Sequence, residues 1–142
     1  MKLDKQGKEH LITEEGLKLK AYKDTVGVWT IGVGNTYYED GSKVKQGDVI
    51  TKERALTLMD TVVKSFEDNI NKVVKVPLSQ NEFNALVSFS YNIGKAGFNG
   101  STLLKLLNSG KRKEAAEQFI KWTKQKELTN RRIREKTLFL KP

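Results

Sequence analysis

Glu15, Asp24 and Thr30 lie within one stretch, EGLKLKAYKDTVGVWTIGVGNT, where two carboxylates and a hydroxyl can converge on a single bond. Two acids in different surroundings can divide proton donation from proton abstraction, and a hydroxyl beside them can hold a water for attack. Those are the parts needed to cut a glycosidic bond. The nine steps from Glu15 to Asp24 reach anything from a turn to about 30 Å, so spacing alone leaves their separation open. Two acids and a threonine are ordinarily solvated side chains, and the elements that carry them must decide the matter.

Other chemistries find little support. Cysteine is absent, which removes disulfides, thiolate nucleophiles and thiolate metal sites, and the single histidine, His10, argues against a His-rich metal centre. No metal and no cofactor are expected. The run Gly32–Asn35 (GVGN) lacks the third glycine of a dinucleotide fingerprint, Tyr37 standing there instead, and no βαβ unit follows. Its glycines are expected to permit hairpin twist and the close approach of a ligand chain. His10 precedes Glu14 and Glu15 by about one helical turn, where it is either a surface residue or a tuner of that pair. Trp29, Tyr37, Tyr38 and Tyr91 are either core or stacking surfaces for sugar rings.

Helical periodicity predicts a short first helix over residues 4–15, with Leu11 and Ile12 inward and Gly16 as a left-handed C-terminal cap. Glu15 then sits at a helix end. Residues 16–50 hold six of the eleven glycines between short runs such as VGVWTIGV and KVKQGDVI, the texture of a small antiparallel sheet with EDGS, Glu39 to Ser42, as a turn. Thr51 can cap a long helix through Ala55, Met59, Val63, Phe66 and Ile70 that Pro77 breaks. Ser79 and Glu82 form a capping-box pattern ahead of ALVSFSYNIG, an uncharged segment expected to be the central core helix. Beyond Gly97 and Gly100, which are expected to interrupt the chain, come helices TLLKLLNSG, KEAAEQFIKW and NRRIREKTLFL, the last with Thr129 as its cap. The expected fold is α+β and mostly helical. One domain over 1–142 would divide into a sheet lobe at 16–50, a helical lobe at 1–15 and 75–142, and a connecting helix at 51–74.

The net charge of +9 is uneven, with eleven Lys or Arg against four Glu in residues 111–142. A basic end suits a polyanionic partner such as nucleic acid, anionic membrane or bacterial wall, or else is a solvated helix face. Arg131, Arg132 and Arg134 are its densest cluster, available for ion pairs with Glu127 and Glu135 or for a contact with the Glu14 and Glu15 end of the first helix. No window is apolar enough for a membrane helix, and the start lacks the apolar centre of a signal peptide, so cytoplasmic accumulation is expected.

The Glu15 to Thr36 stretch resembles the active-site signature of the phage-type lysozymes, the endolysins of glycoside hydrolase family 24. LSQNEFNALVSFSYNIG resembles the family's buried central helix, FNGSTLLKLLNSG the segment after it, EAAEQFIKW the next helix and LTNRRIREKTLFL the closing arginine helix. The resemblance implies a lysozyme fold and a muramidase cutting the β-1,4 bond between N-acetylmuramic acid and N-acetylglucosamine. Glu15 matches the general acid, Asp24 the second carboxylate and Thr30 the hydroxyl that positions water. Thr36, Tyr91, Ser101 and Gln118 match substrate contacts. Arg131 is set against Glu15, with Arg134 similarly serving Glu14. An arginine there favours ionised Glu15, so substrate is expected to desolvate the site and restore the proton.

An inverting reaction is implied, with the carboxyl groups roughly 6.5–9.5 Å apart. The partners implied are bacterial peptidoglycan and a separate permeabilising factor, a holin, with no nucleic acid, no stable membrane insertion and a monomeric state. Synthesis in the host cytoplasm would precede action at the wall or in the periplasm. The rival reading is an inactive wall-binding module of the same fold. One departure stands out: Asn35 occupies a position where relatives commonly carry histidine.

Overall fold

The computed structural model describes residues 1–142. Helix α1 (Lys5–Glu15) leads into an antiparallel pair, β1 (Lys18–Lys23) and β2 (Trp29–Gly32). Helix α2 (Lys52–Val73) follows, then α3 (Gln80–Ile93), α4 (Lys95–Asn99), α5 (Thr102–Asn108), α6 (Arg112–Glu117) and α7 (Thr129–Leu140). Single 3-10 turns at Phe119–Lys121 and Lys126–Leu128 lie between the last two. The class is α+β, mainly helical with a two-stranded sheet, as the patterning implies. The chain forms two compact units, one of residues 9–64 and the other of residues 1–8 and 65–142.

In the smaller unit the sheet stops at two strands. KVKQGDVI adds only isolated bridges, Lys20 to Val49 and Tyr37 to Lys43, because glycine and lysine supply no continuous β-forming run. The turn at Glu39–Ser42 forms as expected: Tyr38 N–H donates to Ser42 O at 2.9 Å and Asp40 Oδ1 accepts from Ser42 N–H at 2.9 Å. Ala21, Ile31, Val44, Ile50, Ala55 and Leu58 form the core, with Trp29 and Tyr38 packed against it. Thr51 caps α2 by accepting from Arg54 N–H at 3.1 Å.

In the larger unit Ser79 and Glu82 make the reciprocal capping box. Residues Phe83 to Ser90 are all buried, which makes α3 the core helix, and α7 packs against it. Phe89 meets Phe98, Phe119 and Trp122 edge-on, at centroid distances of 6.3, 5.0 and 5.8 Å, geometries that the ring quadrupole favours. Helix α2 ends at Val73, within a residue of the expected 51–74, and the Asn108 amide closes that end by donating to Val73 O at 2.9 Å and accepting from Lys75 N–H at 2.7 Å. Three expectations shift here. Gly97 lies inside α4 rather than interrupting the chain, and Gly100 ends that helix. KEAAEQFIKW is a short α-helix that tightens into a 3-10 turn. Thr129 is already helical, at φ −57° and ψ −49°, so it opens α7 without capping it.

Candidate active site

The smaller unit carries Glu15, Asp24, Thr30 and Thr36. Glu15 closes α1, and Gly16, at φ +78°, turns the chain into β1 while its N–H donates to Ile12 O at 2.7 Å. The carboxyl group of Glu15 then rests on the backbone of Gly34. A β-carbon added there would stand 2.6 Å from Glu15 Oε1, and Gly34 holds φ +71°. The positive φ favours glycine, and a side chain there would push the Glu15 carboxyl aside. The turn beneath is closed by paired main-chain hydrogen bonds between Ile31 and Asn35, at 2.8 and 2.9 Å, and by Asn35 Oδ1 accepting from Val33 N–H at 3.2 Å. Asn35 is buried, so the residue that departs from the family pattern serves as an internal brace of this turn. The close approach expected of a ligand chain at GVGN is made by the protein's own acid.

Asp24 follows β1. Its Oδ1 accepts from Val26 N–H at 3.0 Å and Val28 N–H at 2.8 Å, and its own N–H donates to Val28 O at 2.9 Å. One carboxylate oxygen is thus pinned to the hairpin loop, which leaves Oδ2 for a water. Thr30, 4 % exposed, donates its hydroxyl to Val28 O at 2.9 Å. The Asp24 main chain and the Thr30 hydroxyl are thus tied to one loop carbonyl. Tyr22 pairs with Thr30 across the hairpin. Burial raises its phenol pKa, and the charges of Glu15 and then Asp24 raise it further, so both acids lie within electrostatic reach of one ring. Tyr22 was not singled out by residue type; alternation along the hairpin, which aligns Tyr22 with Thr30 and Asp24, was the available signal. His10 Nε2 stands 3.5 Å from Glu14 Oε2. Thr36 is half-buried, and its carbonyl accepts from Val44 N–H at 3.0 Å.

The larger unit carries Tyr91, Ser101, Gln118 and Arg131. Ser101 and Gln118 line one cavity of about 600 Å³, with Trp122, Lys121 and Lys124 on its wall. The Ser101 hydroxyl also caps α5, donating to Phe98 O at 2.7 Å and accepting from Leu104 N–H at 3.1 Å. Tyr91 packs its half-buried ring on Phe66 at 5.5 Å. Arg131 is 5 % exposed, with Nε on Glu135 Oε2 at 3.1 Å and Nη2 on Ser88 O at 2.9 Å. Arg132 is wholly buried, donating to Glu135, to Asn92 and, at 3.1 Å, to Trp122 O, with its guanidinium over Phe89. Ser88 Oγ completes Glu135 at 2.5 Å. The reading of this cluster as a solvated face therefore fails for Arg131 and Arg132. No group of three His, Cys, Asp or Glu side chains is arranged to hold a metal ion, and no helix is long and apolar enough to cross a membrane.

The Phage lysozyme family model matches residues 12–135. The endolysin of Salmonella phage P22 is 43 % identical over 99 % of both chains. The endolysin of Bacillus phage B103 is 40 % identical over 99 % of this chain and 54 % of its own, so the chain spans about half of that relative's length. Among solved structures, the endolysin of Escherichia coli O157:H7 phage FAHEc1 superposes with a TM-score of 0.92 at 38 % identity, covering 99 % of this chain and 94 % of that one.

Proposed function

The chain belongs to the phage lysozyme family and is a lysozyme-type glycoside hydrolase of peptidoglycan, and we propose that it cuts the β-1,4 bond between N-acetylmuramic acid and N-acetylglucosamine with inversion. Glu15 gives its proton to the leaving oxygen. Asp24 takes the proton of a water held by Thr30, and the water's oxygen bonds to the sugar carbon that the leaving group vacates. The observation that carries this reading is the different anchoring of the two acids. Glu15 is seated on bare backbone at Gly34, while Asp24 has one oxygen bound by two main-chain N–H groups and the other open to a water.

Arg131 supports Glu15, and Tyr91, Thr36, Ser101 and Gln118 contact substrate; the cavity shared by Ser101 and Gln118 supports the last two. Access to the wall from the host cytoplasm runs through a separate membrane-permeabilising factor. The test uses purified peptidoglycan. Glu15→Gln and Asp24→Asn should each lower the rate of new reducing ends by at least about a thousandfold, and nuclear magnetic resonance should record the α anomer first. Retained activity in both variants, with the protein still sedimenting on peptidoglycan, would leave a binding module; a β anomer would replace inversion by retention.

A further inference from the structure

Tyr22 is the side chain at this site to which no role has been assigned. Cross-strand partners in an antiparallel pair project from the same face, as do residues two apart along a strand. Tyr22 pairs with Thr30, and Asp24 lies two residues beyond it, so the three share one face of the hairpin. Ala21 and Ile31 turn the opposite face into the core of the smaller unit. The sheet therefore has an apolar side and a chemical side. Tyr22 is half-buried on the chemical side, and no protein group hydrogen-bonds to its hydroxyl, whereas Thr30 and Asp24 beside it are both bonded to the loop.

We propose that Tyr22 is a positioning residue of the acid and base, its hydroxyl donating into the gap between Glu15 and Asp24 to the oxygen, of water or of sugar, that occupies it. The proposal rests on the assignment of those two carboxylates. The raised pKa of the phenol fits the role, since burial and then the charges of Glu15 and Asp24 keep its proton on throughout the neutral range, where it is available to donate. Thr30 gives its proton to Val28 O and can offer the same oxygen nothing but lone pairs. Tyr22 supplies the missing donor.

The test is Tyr22→Phe, which keeps the ring and removes only the hydroxyl, assayed on soluble uncrosslinked glycan strands beside Glu15→Gln and Asp24→Asn. With an unchanged melting temperature, kcat should fall roughly three- to tenfold, the loss of one neutral hydrogen bond. An unchanged KM marks water as the acceptor, and a raised KM marks a sugar oxygen. A difluorotyrosine at position 22 keeps the volume with a more acidic phenol, and should add an alkaline limb where that phenol ionises. Unaltered rates and pH profiles in both variants, with Glu15→Gln and Asp24→Asn inactive, would reduce Tyr22 to packing and leave the acid and base in place. Activity in Glu15→Gln and Asp24→Asn would overturn the acid–base assignment and this proposal together.

Discussion

The two units hold their polar groups in opposite ways. In the smaller one, Asp24, Asn35, Asp40 and Asp48 each accept from a main-chain N–H only two to four residues away. In the larger one, buried Glu135, Ser88, Arg131 and Arg132 and half-buried Asn92 are joined partly across separations of 40 to 47 residues. Charge divides the same way: residues 9–64 hold eight Lys or Arg against nine Asp or Glu, and the rest of the chain holds eighteen against eight. The smaller unit aims a few carboxylates by local backbone geometry at modest energetic risk. The larger unit stakes stability on buried charge and presents the basic surface that suits an anionic wall. Damage should therefore register as lost activity in one and as lost stability in the other.

The largest effect tests the buried cluster. Glu135 is fully buried and engages Arg131, Arg132 and Ser88, so Glu135→Ala strands two guanidinium groups without their carboxylate. A loss of about 3–5 kcal/mol is expected in chemical unfolding, larger than the change in activation free energy of the folded molecules well below the melting temperature. A loss under about 1 kcal/mol would erase the contrast between the units.

Gly34 sharpens the contrast from the other side. Gly27 and Gly41 share its positive φ, at +85° and +84°, but a β-carbon at either meets nothing within 4 Å. Alanine at any of the three should cost roughly 1–2 kcal/mol of backbone strain. Only Gly34→Ala should also displace the Glu15 carboxyl, and its kcat should fall about ten- to a hundredfold beyond any loss in folded protein. Equal activity in all three variants would mean that Glu15 is not seated by that turn.

The same contrast explains which features could be read from residues alone. The Asp40 turn, the Ser79 and Glu82 capping box and the Gly16 cap are set within four residues, and pattern suffices for them. The ion pairs of Arg131 and Arg132 with Glu135 follow from helical spacing, but their burial does not, because Ser88 and Asn92, some forty residues earlier, close over them. The end of α2 was legible from its apolar spacing, whereas the Asn108 bonds there, from more than thirty residues away, were not. At the site, the two carboxylates and the hydroxyl were legible as residue types, and the GVGN glycines as a place of close approach. That Glu15 makes the approach at Gly34 was not, because it comes from another element.

The smallest effect asks whether the smaller unit can also draw stability from a side-chain pair. Tyr38 donates to Asp48 Oδ2 at 2.7 Å, and the same oxygen accepts from Lys45 N–H at 2.9 Å. Burial and then the Asp48 bond push the Tyr38 phenol up to about 12, while the Lys45 N–H and then Tyr38 hold Asp48 below its ordinary value. A folded-state pKa raised above the unfolded value of 10.0 gives stability that is complete below pH 10 and is lost as pH rises from there through 12. Tyr38→Phe should therefore cost less than about 1 kcal/mol at pH 7 to 9, and the gap in urea midpoints between parent and variant should close between about pH 10 and 12. Asp48 adds the acid arm: its lowered value makes the gap narrow again as pH falls below 3.8. A gap that stayed constant across both windows would assign the Tyr38 contribution to ring packing and remove this pair from the polar stabilisation of the unit.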